Sequence, residues 1–351
     1  MATERNPYDM VPEEVGNVIS MPMPEEESGA TFELDPEDGG VTVDFSEETV
    51  NMEASEEIAE WYGDISEILD DGELDSIASD VIENFQSDKD SRADWESMFE
   101  SGFDLLGLKL EQGSEPFEGA CTAVHPLLIE SAVKFQSKAS GELFPSIGPI
   151  KTQIFGKSTP EKEEQANRVK NFMNYQVTEQ MPEYFDEFER MLFHLPIIGS
   201  AFKKLYYDAT TKRPRSEFIP IDQFYISYYA TDLANADRYT HVIYRSPVEM
   251  AREINAGVYQ DVDLPTPSSS DITSFAEKMD TIIGLSPSSD NDPQYVLLEQ
   301  HCYLDIEDDD IPLPYIVTVE HQSRQILSIR RNYKQDDPNK EKISHFVHYR
   351  F

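Results

Sequence analysis

Between Phe185 and Tyr244 the hydrophobic period changes from helical to strand-like at one place, and that change dictates the local architecture. Phe185, Phe188, Met191, Leu192 and Leu195 recur at three- and four-residue steps, which puts them on one helical face. Pro196 and Gly199 are expected to end this helix. From Ala201 the pattern is that of a strand. Phe202, Leu205, Tyr206 and Tyr207 lead to Asp208, the polar run ATTKRP makes a turn, and SEFIPI returns as the second arm of a hairpin. Two further aromatic runs follow, Phe224 to Tyr229 and Tyr239 to Tyr244. Helix, hairpin, strand and strand in this order predict a compact α+β unit, and nothing in it matches a catalytic motif.

The flanks extend the same class. Ser246-Pro247-Val248-Glu249 is a capping box with proline at the first helical position, so a short helix is predicted to reach Gly257. YVLLEQHCYLDI, LPYIVTVEH and RQILSIRRNY read as a three-stranded antiparallel meander, and SHFVHYRF as a strand in which the sequence stops, which implies a longer polypeptide. Upstream, Ser55 is predicted to cap a helix with Ile58, Trp61, Tyr62, Ile65, Ile68 and Leu69 on its apolar stripe and Asp71-Gly72 at its end. Further helices are predicted over Leu74–Phe85, from Ser91 with Trp95, Met98, Phe99 and Leu105 inward, and from His125-Pro126 with Leu128, Ala132, Phe135, Ala139 and Leu143 inward. Pro149 to Phe155 reads as a strand. Pro160 to Leu195 reads as helix broken near Pro182, its charged first half on the surface.

Composition divides the chain. Residues 1–50 are acidic, rich in Pro, Glu and Gly, with Arg5 as their one cation; they read as a disordered arm, either a docking tail or a solubilising one. Residues 51–260 form the helical and α+β body. Residues 261–293 loosen into Asp, Ser and Pro around one amphipathic helix, Ile272–Leu285, and 294–351 carry the meander and the last strand. Lys and Arg total 28 against 69 Asp and Glu, a net charge of −41 in 351 residues. Such a balance opposes gripping of DNA phosphates or anionic lipid, and it suits either a soluble surface or a conduit along which a duplex slides. Cys121 and Cys302 stand alone, outside any CxxC, which argues for a reduced compartment and no disulfide framework. No run has the roughly 18 apolar residues of a membrane span, and the N-terminus lacks a secretory pattern, so a cytosolic product without a membrane partner is expected.

The run GSAFKKLYYD, the arm RPRSEFIPIDQF and the tail DLANADRYTHVIYRS resemble the portal proteins of short-tailed bacteriophages. Ser91 to Leu108 and Phe117 to Gly156 resemble the same family, so the likeness covers most of Ser91 to Arg245. It implies a portal-like body in a noncatalytic head–tail connector: a closed homo-oligomeric ring of about twelve copies at one capsid vertex. Double-stranded DNA would be packaged and ejected through it, with terminase, capsid or scaffold, and tail adaptor proteins as partners. The protein would reside in the virion, and in the host cytoplasm during assembly. Portals carry a protruding elaboration near the meander's place in the chain; the meander is either that part or more of the body. The other reading is an acidic interaction or scaffold protein whose N-terminal arm binds a basic partner.

Catalytic and metal chemistry find little support. GxxxxGK[ST] and GxGxxG are absent, and Gly199 to Lys204 lacks the second glycine. An EF-hand loop starting at Asp305 would need Gly and a carboxylate where Asp310 and Ile316 stand. His345 and His348 point to opposite sides of a strand, while His194, His241, His301 and His321 are isolated. No catalytic residue, metal ligand or cofactor is therefore assigned. Cations concentrate on the central hairpin, with Lys203, Lys204, Lys212, Arg213 and Arg215, and on the last meander strand, with Arg324, Arg330, Arg331 and Lys334. Lys203, Lys204, Arg213, Arg215, Arg330 and Arg331 are the candidates for subunit or DNA contacts; the alternative is a solvated face with local salt bridges.

Overall fold

The computed structural model describes residues 31–34, 41–44, 61–104, 126–146, 148–208, 211–267, 293–306 and 311–351. Most of the arm, the Ser55 cap, Leu105, the expected Ile272–Leu285 helix and the acidic turn at 307–310 lie outside them. The chain divides into two units, Met1–Glu60 and Trp61–Phe351. In the first, β1 (Thr31–Leu34) pairs antiparallel with β2 (Val41–Asp44), Thr31 opposite Asp44.

Among its described residues the second unit is α+β, with six helices and two antiparallel sheets. The helices are α1 (Asp71–Ser91), α2 (Ala93–Asp104), α3 (Leu127–Leu143), α4 (Pro160–Tyr175), α5 (Tyr184–Ile198) and α6 (Pro247–Asn255). The strands are β3 (Ser200–Asp208), β4 (Arg213–Ile219), β5 (Phe224–Ile226), β6 (Tyr239–Arg245), β7 (Tyr295–Leu304), β8 (Leu313–Glu320), β9 (Ile326–Arg331) and β10 (Phe346–Arg350). A five-stranded sheet has the order β5-β6-β7-β8-β9, so the three meander strands add to the pair that closes the central unit. A three-stranded sheet has the order β10-β3-β4: the last strand pairs with the first arm of the hairpin and makes β3 its middle strand.

Register sets which side chains share a core. Val242 lies opposite Leu298 and Ile243 opposite Leu297, so adjacent residues of β6 and β7 serve opposite faces. Val242, Leu298, Val317 and Ile329 receive Ala78, Val81 and Phe85 of α1, while Ile243, Leu297 and Leu327 receive Met250 of α6. Helix α5 lays Phe188, Met191, Leu192 and Leu195 on Ala201 and Phe218 of the smaller sheet. A third core joins the two sheets, with Phe202, Ile219 and Phe346 meeting Phe224 and Tyr239.

Three expectations are corrected. Asp71-Gly72 does not end a helix but opens one: Asp70 accepts from Glu73 N at 2.8 Å while Glu73 Oε2 accepts from Asp70 N at 3.2 Å, a reciprocal capping box. The stripe before it is not one helix, because tertiary bonds override its period. Ile65 N donates to Ile329 O at 2.9 Å and Ile329 N to Asp64 Oδ1 at 2.8 Å, which covers the β9 edge and breaks the stripe between Trp61, which is helical, and the single turn Ser66–Ile68. Pro149 to Phe155 is not a strand, since Asn174 takes the place of a neighbouring chain, accepting from Ile150 N and donating to Ile150 O. Pro196 is accommodated inside the last turn of α5, and Gly199, at φ +84°, ends it. The π-turn Gln176–Gln180 separates α4 from α5 just before Pro182, as the break in the sequence predicts.

If Asp70 caps α1, Asp70→Ala should lower unfolding stability by about 1 kcal/mol. Denaturant titration checks this, and an unchanged midpoint would return the helix start to a later residue.

Candidate functional site

Period-2 alternation along β7 puts Glu299 and His301 on the face turned toward the smaller sheet, and cross-strand register sets His241 directly opposite Glu299. Lys204 reaches the same point from β3. Its Nζ lies 2.6 Å from both Glu299 oxygens, and both side chains are almost wholly buried. These groups line a cavity of about 460 Å³ together with His345 and Arg330.

A relay runs through the cluster. His301 Nε2 lies 3.2 Å from Glu299 Oε1, Asn332 Nδ2 lies 3.4 Å from His301 Nδ1, and His345 Nε2 lies 3.1 Å from Asn332 Oδ1. With the Asn332 amide donating to Nδ1, His301 is the Nε2–H tautomer and donates to the carboxylate; His345 donates its own Nε2–H to the amide oxygen. Burial holds His301 and His241 below the ordinary imidazole range, and the Lys204 charge adds to that effect. Burial, reinforced by His301, takes His345 down to about 4. Glu299 stays well below the usual carboxylate range: burial opposes its charge, but the Lys204 ammonium and the His301 bond outweigh it. His241 Nδ1 is buried without a hydrogen-bond partner, 4.0 Å from Glu299 Oε1.

The chemistry open to this cluster is limited. Its carboxylate is neutralised on both oxygens by an internal ammonium, so it is poorly placed to take a proton. Arg245, on the cavity wall, is held by Glu253 at 2.9 Å. A Ser–His contact lies elsewhere, with Ser200 Oγ 3.3 Å from His348 Nε2, and it is polarised against nucleophile activation. Arg350 donates to His348 Nδ1 at 3.3 Å, which leaves the proton on Nε2 and the imidazole a donor to the serine. Among the described residues no three His, Cys, Asp or Glu side chains could hold a metal ion. Cys302 is free and buried, its thiol pushed up to about 12 by desolvation, while Cys121 lies outside the described residues. Among the described residues no helix is long and apolar enough to cross a membrane.

No family model matches the chain, and no curated protein matches it.

The six cations singled out from the sequence all sit against partners in the chain itself. Lys203 and Lys204, adjacent on β3, point to opposite sides. Lys203 is 2% exposed, its Nζ 4.2 Å from the Tyr184 ring centre and 4.8 Å from that of Phe188. Burial draws it down to about 8, with Glu187 and Glu183 partly opposing. Arg213 bonds Glu183 at 2.7 Å and Gln180 O at 3.1 Å, and Arg215 lies 3.7 Å from Asp208. Arg330 donates to the carbonyls of Gly257 and Val258, at the end of α6. Arg331 donates to Trp61 O and stacks on the Trp61 ring at 4.5 Å. Lys204 and Arg330 share the cavity wall. Glu299 is not singled out by the sequence, and His241, His301 and His345 read there as isolated or as one half of an unsuited HxxH pair; the Glu-x-His spacing at 299 and 301 is the available signal, because it gives two titratable groups one strand face.

The cluster makes two predictions. Lys204→Met should cost about 3–5 kcal/mol by stranding the Glu299 charge, and the double variant Lys204→Met/Glu299→Leu should recover most of that loss. Equal losses in single and double variants, measured by denaturant unfolding, would refute the pairing. Histidines held neutral in the fold let the unfolded chain take up protons first, so stability is complete above the ordinary value of 6.5 and declines as pH falls toward 4. His345 contributes about 3 kcal/mol to that decline. The unfolding midpoint should therefore drop between pH 7 and pH 5, above most carboxylate titrations, and His345→Gln should flatten part of the drop; a midpoint constant across this window would refute it.

Proposed function

We propose that the chain is a noncatalytic subunit of a bacteriophage portal, the ring at one capsid vertex through which double-stranded DNA enters and leaves. The reading begins from the resemblance carried by Ser91–Leu108, Phe117–Gly156 and Leu195–Arg245. One structural observation supports it above others: on a chain of net charge −41, Lys204, Arg213, Arg330 and Arg331 of the central hairpin and last meander strand bond within the chain, leaving Lys212, Arg324 and Lys334 as the exposed cations there. A wall on which most such cations are paired within the chain against a large excess of carboxylates repels a duplex and lets it slide. The α+β body gives such a ring rigid subunits, and terminase, capsid or scaffold, and tail adaptor proteins would dock on its outer surfaces.

Light scattering and particle images of one sample test the reading. Rings of about a dozen subunits with a central hole are the expected result, together with binding to a short duplex no tighter than about 10⁻⁴ M at physiological salt. A monomer at every concentration would overturn it and favour an acidic scaffold protein. Tight, salt-sensitive duplex binding would overturn the sliding wall.

A further inference from the structure

Among the described residues, none lays a core on helix α4. None of its 16 residues is buried, although a helix of this length is marginal in water unless something packs on it. Its start is well prepared, with Thr159 accepting from Lys162 N and Pro160 at the first position. Its links to the body include the Thr152 hydroxyl on Ala166 O and the Asn174 clamp on Ile150. At 100° per residue Val169, Phe172 and Met173 share one face, and they are 39%, 51% and 41% exposed. Arg168 and Lys170 flank that stripe, and Lys162 falls on it.

Charge says what covers it. From Leu127 to Lys170 seven cations outnumber five carboxylates, against the sign of the whole chain. From Trp61 to Asp104 fourteen carboxylates face two cations. In that second region Ile68 is 79% exposed, on the single turn before α1, and Glu67, Asp70, Asp71 and Glu73 around it are exposed too. One surface is an apolar stripe edged with cations, the other an apolar point edged with carboxylates. Both are exposed on the same molecule, so neither covers the other within it.

We infer that the Val169/Phe172/Met173 face of α4 docks on the acidic turn around Ile68 of a second copy of this chain. The two faces differ, so the contact is heterologous: each copy offers one face to the copy ahead and the other to the copy behind. Such a contact closes into a ring when the rotation permits. The inference rests on the portal reading, and it specifies which surfaces carry the ring.

Charge reversal on the chain tests it. Arg168→Glu/Lys170→Glu should raise the concentration needed for assembly by about 100-fold, and adding Glu67→Lys/Asp71→Lys to the same chain should restore assembly. Phe172→Ser should weaken assembly without inverting any charge. Arg168, Phe172, Glu67 and Asp71 are exposed and Lys170 is half-buried, so circular dichroism and unfolding midpoints should stay close to the wild type. Wild-type rings indifferent to the reversal, or a quadruple variant that fails to reassemble, would overturn this pairing of faces and leave the portal reading standing. A wild-type chain that is monomeric throughout would overturn both.

Discussion

The ion pair between Lys204 and Glu299 is the constraint around which the body is arranged. It ties the middle strand of the three-stranded sheet to the middle strand of the five-stranded sheet, with both carboxylate oxygens 2.6 Å from one ammonium. A buried pair of this kind adds little net stability over apolar replacements, but it penalises any arrangement that separates its members. A one-residue slip of β3 would turn Lys204 toward α5 and bring Lys203 to the carboxylate, carrying Ala201 and Phe202 to the wrong cores with it. The aromatic core of Phe202, Phe224, Tyr239 and Phe346 supplies the cohesion between the sheets, and the ion pair restricts the register in which that cohesion is reached.

Much of this arrangement was legible in the sequence because local periods and local caps decide it. The hairpin from Ser200 to Ile219, the three meander strands and the Ser246 capping box appear where alternation and turn chemistry place them. What was not legible depends on partners distant in the chain. Lys203 and Lys204 looked like a solvated patch because a hairpin arm is half exposed by default; β10, more than 130 residues later, covers the open edge and makes β3 central. The Trp61–Leu69 stripe has helical spacing, yet Asp64 and Ile65 bond to β9 instead. The candidate site shows the same division, since Glu299 and His301 share a face by alternation alone, whereas His345 and Lys204 join them only through sheet packing.

The fate of the cations connects fold to function. A chain with 69 carboxylates and 28 cations repels itself, and each cation drawn into an internal pair gives local cohesion and leaves the exterior more negative. Arg238 on Asp88, Arg213 on Glu183 and Arg245 on Glu253 repeat on a smaller scale what Lys204 does for Glu299. The segment between Leu127 and Lys170 departs from this balance, for its cations outnumber its carboxylates, Arg168 is exposed, and exposed apolar side chains lie beside it.

That departure follows a physical logic. Copies of a uniformly acidic subunit repel one another, so under the proposed contact a patch of the opposite sign favours assembly, and its confinement to one segment gives the contact a direction. Apolar side chains within the patch make the contact outlast salt screening, which weakens charge pairing beyond about 10 Å at moderate ionic strength. On the portal reading, the acidic excess elsewhere would also oppose the collection of nucleic acid at α4. On that reading, a single charge imbalance, divided unequally over the fold, would direct subunits toward one another and keep DNA from adhering to them.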